Sequence, residues 1–104
     1  MNAREEALKR SRFEVEETAR KVADLQRTIR EFEAIASDLD RRIKNEEAHT
    51  RIDDPKQFAY SSFASSARAR RDKLYSSTEG LKAQLGAARE ERDAALERLS
   101  RISG

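Results

Sequence analysis

Cysteine and tryptophan are absent from this 104-residue chain, histidine and proline each occur once, and glycine occurs three times. Without cysteine there can be no disulfide framework and no thiolate metal site, and the lack fits a reducing compartment. The scarcity of proline and glycine argues against a flexible or disordered linker. Aromatic residues make up 6% of the sequence and all hydrophobic residues 37%. That is below the roughly 45–50% of ordinary globular domains, so a thick core enclosing an enzyme pocket is not expected. No apolar run approaches the ~20 residues that span a bilayer, and Met1-Asn2-Ala3-Arg4-Glu5-Glu6 lacks the apolar stretch of a signal peptide. The expectation is one domain, cytoplasmic, with no direct membrane insertion.

An excess of charge of one sign is missing too. Lys and Arg number 22 and Asp and Glu 20, for a net charge of +2, although 40% of all residues are charged. Signs alternate finely, which suits long solvated helices and does not imply nucleic acid as a partner.

What the chain does have is period. Counting in sevens from Leu8 gives Leu8, Val15, Val22, Ile29, Ala36 and Ile43, all apolar, and these define position a of a heptad. Position d holds Ser11, Thr18, Leu25, Phe32, Leu39 and Glu46, apolar in its middle three. This spacing is that of a supercoiled helix seam and predicts one helix over about 4–50. Acidic residues stand four before basic ones at Glu5–Lys9, Glu6–Arg10, Glu16–Arg20, Glu17–Lys21, Asp38–Arg42 and Asp40–Lys44. Each such pair adds roughly 0.2–0.5 kcal/mol to a helix.

The pattern stops at Thr50-Arg51-Ile52-Asp53-Asp54-Pro55. Proline breaks a helix interior but fits its first position, so Asp54, with Gln57 three residues on, resembles an N-cap and capping box. Ser61 or Ser62 is a rival cap that would leave Phe58-Ala59-Tyr60 in the connector. A second seam follows: Tyr60, Ala67, Leu74, Leu81, Ala88, Ala95 and Ile102, interleaved with Ala64, Arg71, Thr78, Leu85, Arg92 and Leu99. Its polar members make it weaker than the first. Gly80 and Gly86 fall off it and cost about 1 kcal/mol each relative to alanine.

Two complementary stripes separated by a proline-bearing connector predict an all-α fold, a long antiparallel two-helix coiled-coil hairpin occupying 1–104. Helix 1 covers about 4–50, the connector about 51–60 and helix 2 about 60–102. Arms of about 45 residues would make a rod on the order of 65–70 Å long. A continuous helix in a parallel dimer is the competing architecture, and Asp54-Pro55 argues against it.

Catalytic chemistry finds no foothold. No GxxxxGK[ST], HExxH, GxSxG or EF-hand spacing occurs, and His49 beside Glu46 and Glu47 is a weak ligand set. No catalytic residue, cofactor or metal is expected. The distinctive features are apolar and basic. Phe58, Tyr60, Phe63 and Tyr75 cluster at the start of the second arm, and Arg68, Arg70, Arg71 and Lys73 form a basic segment offset by Asp72. Phe13 at position f and Leu96 at e lie off the seams. Apolar side chains of that kind either cap the tip or contact a partner.

Three segments carry a family likeness: Arg12-Phe13 with Val15, Ile52-Asp53-Asp54-Pro55 followed by Phe58-Ala59-Tyr60, and Arg70-Arg71-Asp72-Lys73-Leu74. With these the sequence resembles the flagellar export protein FliJ family, in particular its alphaproteobacterial branch. The resemblance implies a small cytoplasmic component of the flagellar type III secretion machinery, peripheral to the inner-membrane export apparatus and folded as an antiparallel two-stranded coiled coil. It further implies binding to the hexameric export ATPase, in the manner of a rotary-ATPase stalk. Contact with the cytoplasmic domain of the membrane export gate and association with the cycling of export chaperones also belong to the family. The chain ends at Ser103-Gly104, where members often continue, so nothing carries over for a longer C-terminal arm.

On this reading the open end, with Leu8, Phe13, Leu96, Leu99 and Ile102, enters the ATPase ring. The tip aromatics Phe58, Tyr60 and Phe63, with Arg68, Arg70, Arg71 and Lys73, meet the gate. A generic coiled-coil scaffold without an ATPase partner would show the same stripes.

Overall fold

The computed structural model describes residues 2–104 and is all-α, an antiparallel two-helix hairpin of α1 (Ala3–Thr50) and α2 (Ser62–Ser103). α1 starts where Asn2 can cap it. The Asn2 side-chain oxygen accepts from the Glu5 amide at 2.8 Å, and Glu5 and Glu6 place negative charge against the N-terminal end of the helix dipole.

α1 ends at Thr50, and the next residue, Arg51, takes the left-handed conformation (φ 60) while its amide donates to the Glu47 carbonyl at 2.8 Å. This is the single-bond left-handed cap usually built on glycine. Thr50 reinforces it, its hydroxyl accepting from the Ile52 amide at 3.3 Å.

The connector settles the choice between caps. Asp54 does not open a helix: its carboxylate accepts from the Lys56 amide at 2.9 Å and its carbonyl from the Gln57 amide at 3.1 Å, so Asp54-Pro55-Lys56-Gln57 is a turn. Asp first and Pro second are the residues such a turn favours. A second turn joins the Gln57 carbonyl to the Tyr60 amide at 3.1 Å. α2 then starts at Ser62, two residues later than about 60, because the Ser61 hydroxyl accepts from the Ala64 amide at 3.2 Å.

The residues form two compact units. One joins the chain up to Thr28 with Leu81–Gly104, and the other is Ile29–Gly80. In the first, Val22, Leu85, Ala88 and Ala95 are buried, with Leu8, Val15, Leu25, Leu81, Leu99 and Ile102 half-buried around them. In the second, Ile29, Ala36, Leu39, Ile43, Ala64 and Ala67 are buried, and Tyr60 and Leu74 pack against the cluster of Leu39, Ile43, Ala64 and Ala67. Ile43 is the largest side chain wholly removed from solvent, and such burial stabilises by roughly 1.5–3 kcal/mol. These residues are the two heptad series read from the sequence.

The polar members of the seams behave differently from one another. Thr78, buried, donates to the Leu74 carbonyl at 2.8 Å, and Thr18 donates to the Glu14 carbonyl at 2.9 Å, each satisfying its hydroxyl on its own helix. Ser11 is buried with no partner for its hydroxyl within the described residues. Along α1, Asp38–Arg42 and Asp40–Lys44 pair as the i,i+4 spacing predicts, at 3.0 and 2.9 Å. Arg20 turns instead to Glu17, and Lys21 reaches across to Glu91 of α2 at 3.5 Å. The reason is position: Lys21 lies on the flank of the seam, where a partner on the other helix competes with one on its own.

A methyl group added at Gly80 or Gly86 would meet no atom within 4 Å. Both sit in helix, so Gly80→Ala and Gly86→Ala should each raise the unfolding free energy by about 0.4–1 kcal/mol, measured by urea denaturation followed by circular dichroism.

Candidate protein-interaction surfaces

In α1, with Leu8 at a, residues Glu14, Lys21 and Arg42 are at g, and Asp40 and Glu47 at e. In α2, with Ala64 at a and Ala67 at d, Phe63, Arg70, Glu91 and Arg98 are at g and Arg68 at e. Antiparallel helices set g beside g and e beside e, and charges of opposite sign there fix the alignment. The unit that holds both termini follows this rule. Glu14 pairs with Arg98 and Lys21 with Glu91, and the Arg4 guanidinium donates to the Ile102 carbonyl at 3.5 Å.

In the unit carrying the connector, the e edge obeys the rule as well. Glu47 accepts from the Tyr60 hydroxyl at 2.7 Å and from Arg68 at 3.4 Å. One heptad along, Arg71 leaves its seam position to reach Asp40 at 2.7 Å, and Asp40 also takes Lys44. The Arg71 side chain is 14% exposed; it is bound by Asp72 at 3.1 Å and lies over the Tyr75 ring, 5.8 Å from its centroid.

The titration of these groups reflects their neighbours. Hydrogen bonds from Lys44 and then Arg71 hold the Asp40 carboxyl below its ordinary 3.8. Burial opposes the charge on Arg71, but its bonds to Asp40 and Asp72 outweigh that and raise its pKa. Burial, followed by the bond to Glu47, pushes Tyr60 above 10.0.

The g edge of the same unit departs from the rule. Arg42 and Arg70 line one shallow groove of about 190 Å³ with Leu39, Phe63, Ser66 and Ala67. Arg42 shares Asp38 with Arg41, the two guanidiniums at 3.0 and 2.8 Å from that carboxylate. Arg70 forms no ion pair or hydrogen bond within the described residues. Two cations therefore flank one apolar floor.

The residues singled out from the sequence thus divide into two sets. Phe13 is 63% exposed, Leu96 46%, Phe63 49%, and Phe58 is fully exposed on the connector; Arg70 and Lys73 also face solvent. Tyr60 and Leu99 are half-buried in their seams, and Arg68 and Arg71 are engaged with Glu47 and Asp40 inside the hairpin. Arg42 was missed as a surface feature, because its spacing from Asp38 reads as an ordinary helix pair; the heptad letter g shared with Arg70 was the available signal. Larger concavities, of about 350 and 400 Å³, are open grooves lined mainly by charged side chains such as Glu17, Arg20 and Lys21, or Lys44, Glu47 and Arg51. No helix among the described residues is long and apolar enough to cross a membrane, and no group of three or more His, Asp or Glu there could hold a metal ion.

The lowered pKa of Asp40 means that the folded state binds the proton more weakly than the unfolded chain. Its contribution is full above the unfolded value and is lost as pH falls through the folded one. Stability should therefore drop as pH falls below about 4, and Asp40→Asn should flatten that part of the profile, measured by urea midpoints across the acid range. Tyr60 has the opposite sense: its contribution is lost as pH rises past about 10, and Tyr60→Phe should remove that alkaline loss. Compared with protein-family models, curated proteins and solved structures, the chain gives no significant match.

Proposed function

We propose that the chain is a stalk-like, non-catalytic coiled-coil component of bacterial flagellar type III protein export, binding the export ATPase ring and linking it to the export gate. One observation carries the reading: a helical hairpin whose seams already bury their apolar stripes still exposes Phe13, Leu96, Phe58 and Phe63. Side chains of this size held in solvent suit protein contacts. The segments around Phe13, around Ile52–Tyr60 and around Arg70–Leu74 supply the likeness to the FliJ family, and the antiparallel hairpin is compatible with it.

On this reading Phe13 and Leu96 meet the ring, with Leu8, Leu99 and Ile102 as the packed layer beneath them. Phe58 and Phe63, with Arg70 and Lys73, meet the cytoplasmic domain of the gate, while Tyr60, Arg68 and Arg71 hold the surface that presents them. The protein would be cytoplasmic and peripheral to the inner-membrane apparatus, with export chaperones as further partners. Coupling would act through differential binding to ring states.

The test is association of the purified chain with the export ATPase encoded in the same genome, read by calorimetry. The double substitution Phe13→Glu and Leu96→Glu should weaken binding by on the order of a hundredfold, as loss of two exposed anchors implies, while circular dichroism keeps its helical signal. Failure of the unmodified chain to bind would reject the reading.

A further inference from the structure

Along the flanks of a stable two-helix seam, cations face carboxylates. That holds for Glu14–Arg98, Lys21–Glu91 and Glu47–Arg68. It fails at Arg42 and Arg70, which share a groove and a flank position but have the same sign. Arg42 has part of one carboxylate, Asp38, already divided with Arg41. Arg70 has none within the described residues.

The floor between them is apolar. Leu39 and Ala67 are buried beneath it, and Phe63 forms a wall with about half its surface open. Ser66 contributes a hydroxyl at the rim. The first turn of α2, which carries Phe63, also has no acidic residue to satisfy the positive end of its helix dipole. The two guanidiniums that line the groove outnumber the one shared carboxylate beside them and favour a negative partner, and its floor favours an apolar one.

We propose that this groove is a docking site for an acidic, apolar segment of a partner protein: an apolar side chain lies over Leu39 and Ala67 against Phe63, and a flanking carboxylate bridges Arg70 and Arg42. A guanidinium offers a planar fork that a carboxylate matches with two parallel bonds, and a single carboxylate between two such forks removes their repulsion. The proposal concerns the Phe63–Arg70 face that the functional reading gives to the export gate, and it rests on that reading only in assigning a protein partner there.

The experiment uses the full chain and a short fluorescein-labelled peptide of leucine, phenylalanine and glutamate. Analogues carry glutamine or lysine in place of glutamate, and a single-stranded oligothymidylate of similar length serves as competitor. The acidic peptide should bind by anisotropy and shift the amide signals of Phe63, Ser66, Ala67 and Arg70, and the glutamine and lysine analogues should bind more weakly. Arg70→Glu places a carboxylate beside Arg42, so it should raise the melting temperature while lowering affinity for the acidic peptide by on the order of tenfold or more. Phe63→Ala should weaken binding, and Phe13→Ala should leave it unchanged.

Equal binding of the glutamine analogue, signal shifts confined to other residues, unaltered affinity in Arg70→Glu, or displacement of the peptide from these residues by the oligonucleotide would each overturn the proposal. Peptide binding at the groove in a chain that recognises no export ATPase would reject the functional reading and leave the groove standing.

Discussion

The alignment of α1 against α2 depends on the opposite charges that meet along the flanks of the seams. Each helix has a single neighbour, so each buries one narrow stripe, and much of that stripe is alanine: Ala36, Ala64, Ala67, Ala88 and Ala95 are all buried. Small side chains let helices approach closely but give few large knobs to lock into holes, so apolar contact alone discriminates poorly between alignments one heptad apart. A slip of seven residues would keep apolar opposite apolar, and would only exchange Asp40 for Glu33 or Glu47 as the carboxylate nearest Arg71. The flank pairs are what such a slip would break: it would set Glu14 beside Glu91 in one direction or Lys21 beside Arg98 in the other, like charges in either case. Specificity of alignment is the best-attested use of charge beside a seam, and Glu47–Arg68 in the other unit acts in the same direction, while Arg71 and Asp40 satisfy each other within it.

The two threonines and the serine in the seams show how little polar material the fold tolerates there. Thr78 and Thr18 return their hydroxyls to carbonyls one turn back, so each carries its own partner into the interior. Ser11 does not, and it lies in the unit whose opposing helix contributes Ala88 and Ala95. That unit draws its alignment from ions at the edge more than from bulk at the centre. Phe13, projecting from the same stretch of α1, adds nothing to this seam.

The heptad series from Leu8 and Tyr60 could be read directly because a seven-residue repeat states which face is buried without reference to any other part of the chain. The start of α2 could not. Asp54-Pro55 satisfies the chemistry of a turn and of an N-cap equally, and only the observed bonds to Lys56 and Gln57 separate them. Arg51 was equally silent, since nothing in an arginine announces a left-handed cap; the signal is the Glu47 carbonyl one turn away. For the candidate surfaces, the sequence placed Phe13, Phe58, Phe63 and Leu96 off or beside the seams, where exposure was legible. It left Arg68 and Arg71 grouped with Arg70 and Lys73 as one basic face, because the carboxylates that claim them, Glu47 and Asp40, are distant in sequence.

The Arg42–Arg70 edge is where the levels of the structure disagree, and the disagreement is inexpensive. Both side chains sit beside solvent, where salt screens like charges over about 8 Å and their repulsion amounts to a few tenths of a kcal/mol. A folded chain tolerates that easily. A bound carboxylate meets a different balance, because covering the groove excludes water, and attraction to two cations strengthens as the surroundings become less polar. The same pair that detracts slightly from the free hairpin would therefore favour the covered one more. Departures from local rules are expected at functional or strained sites, and here the missing element has a defined sign, a defined edge and an apolar floor beside it.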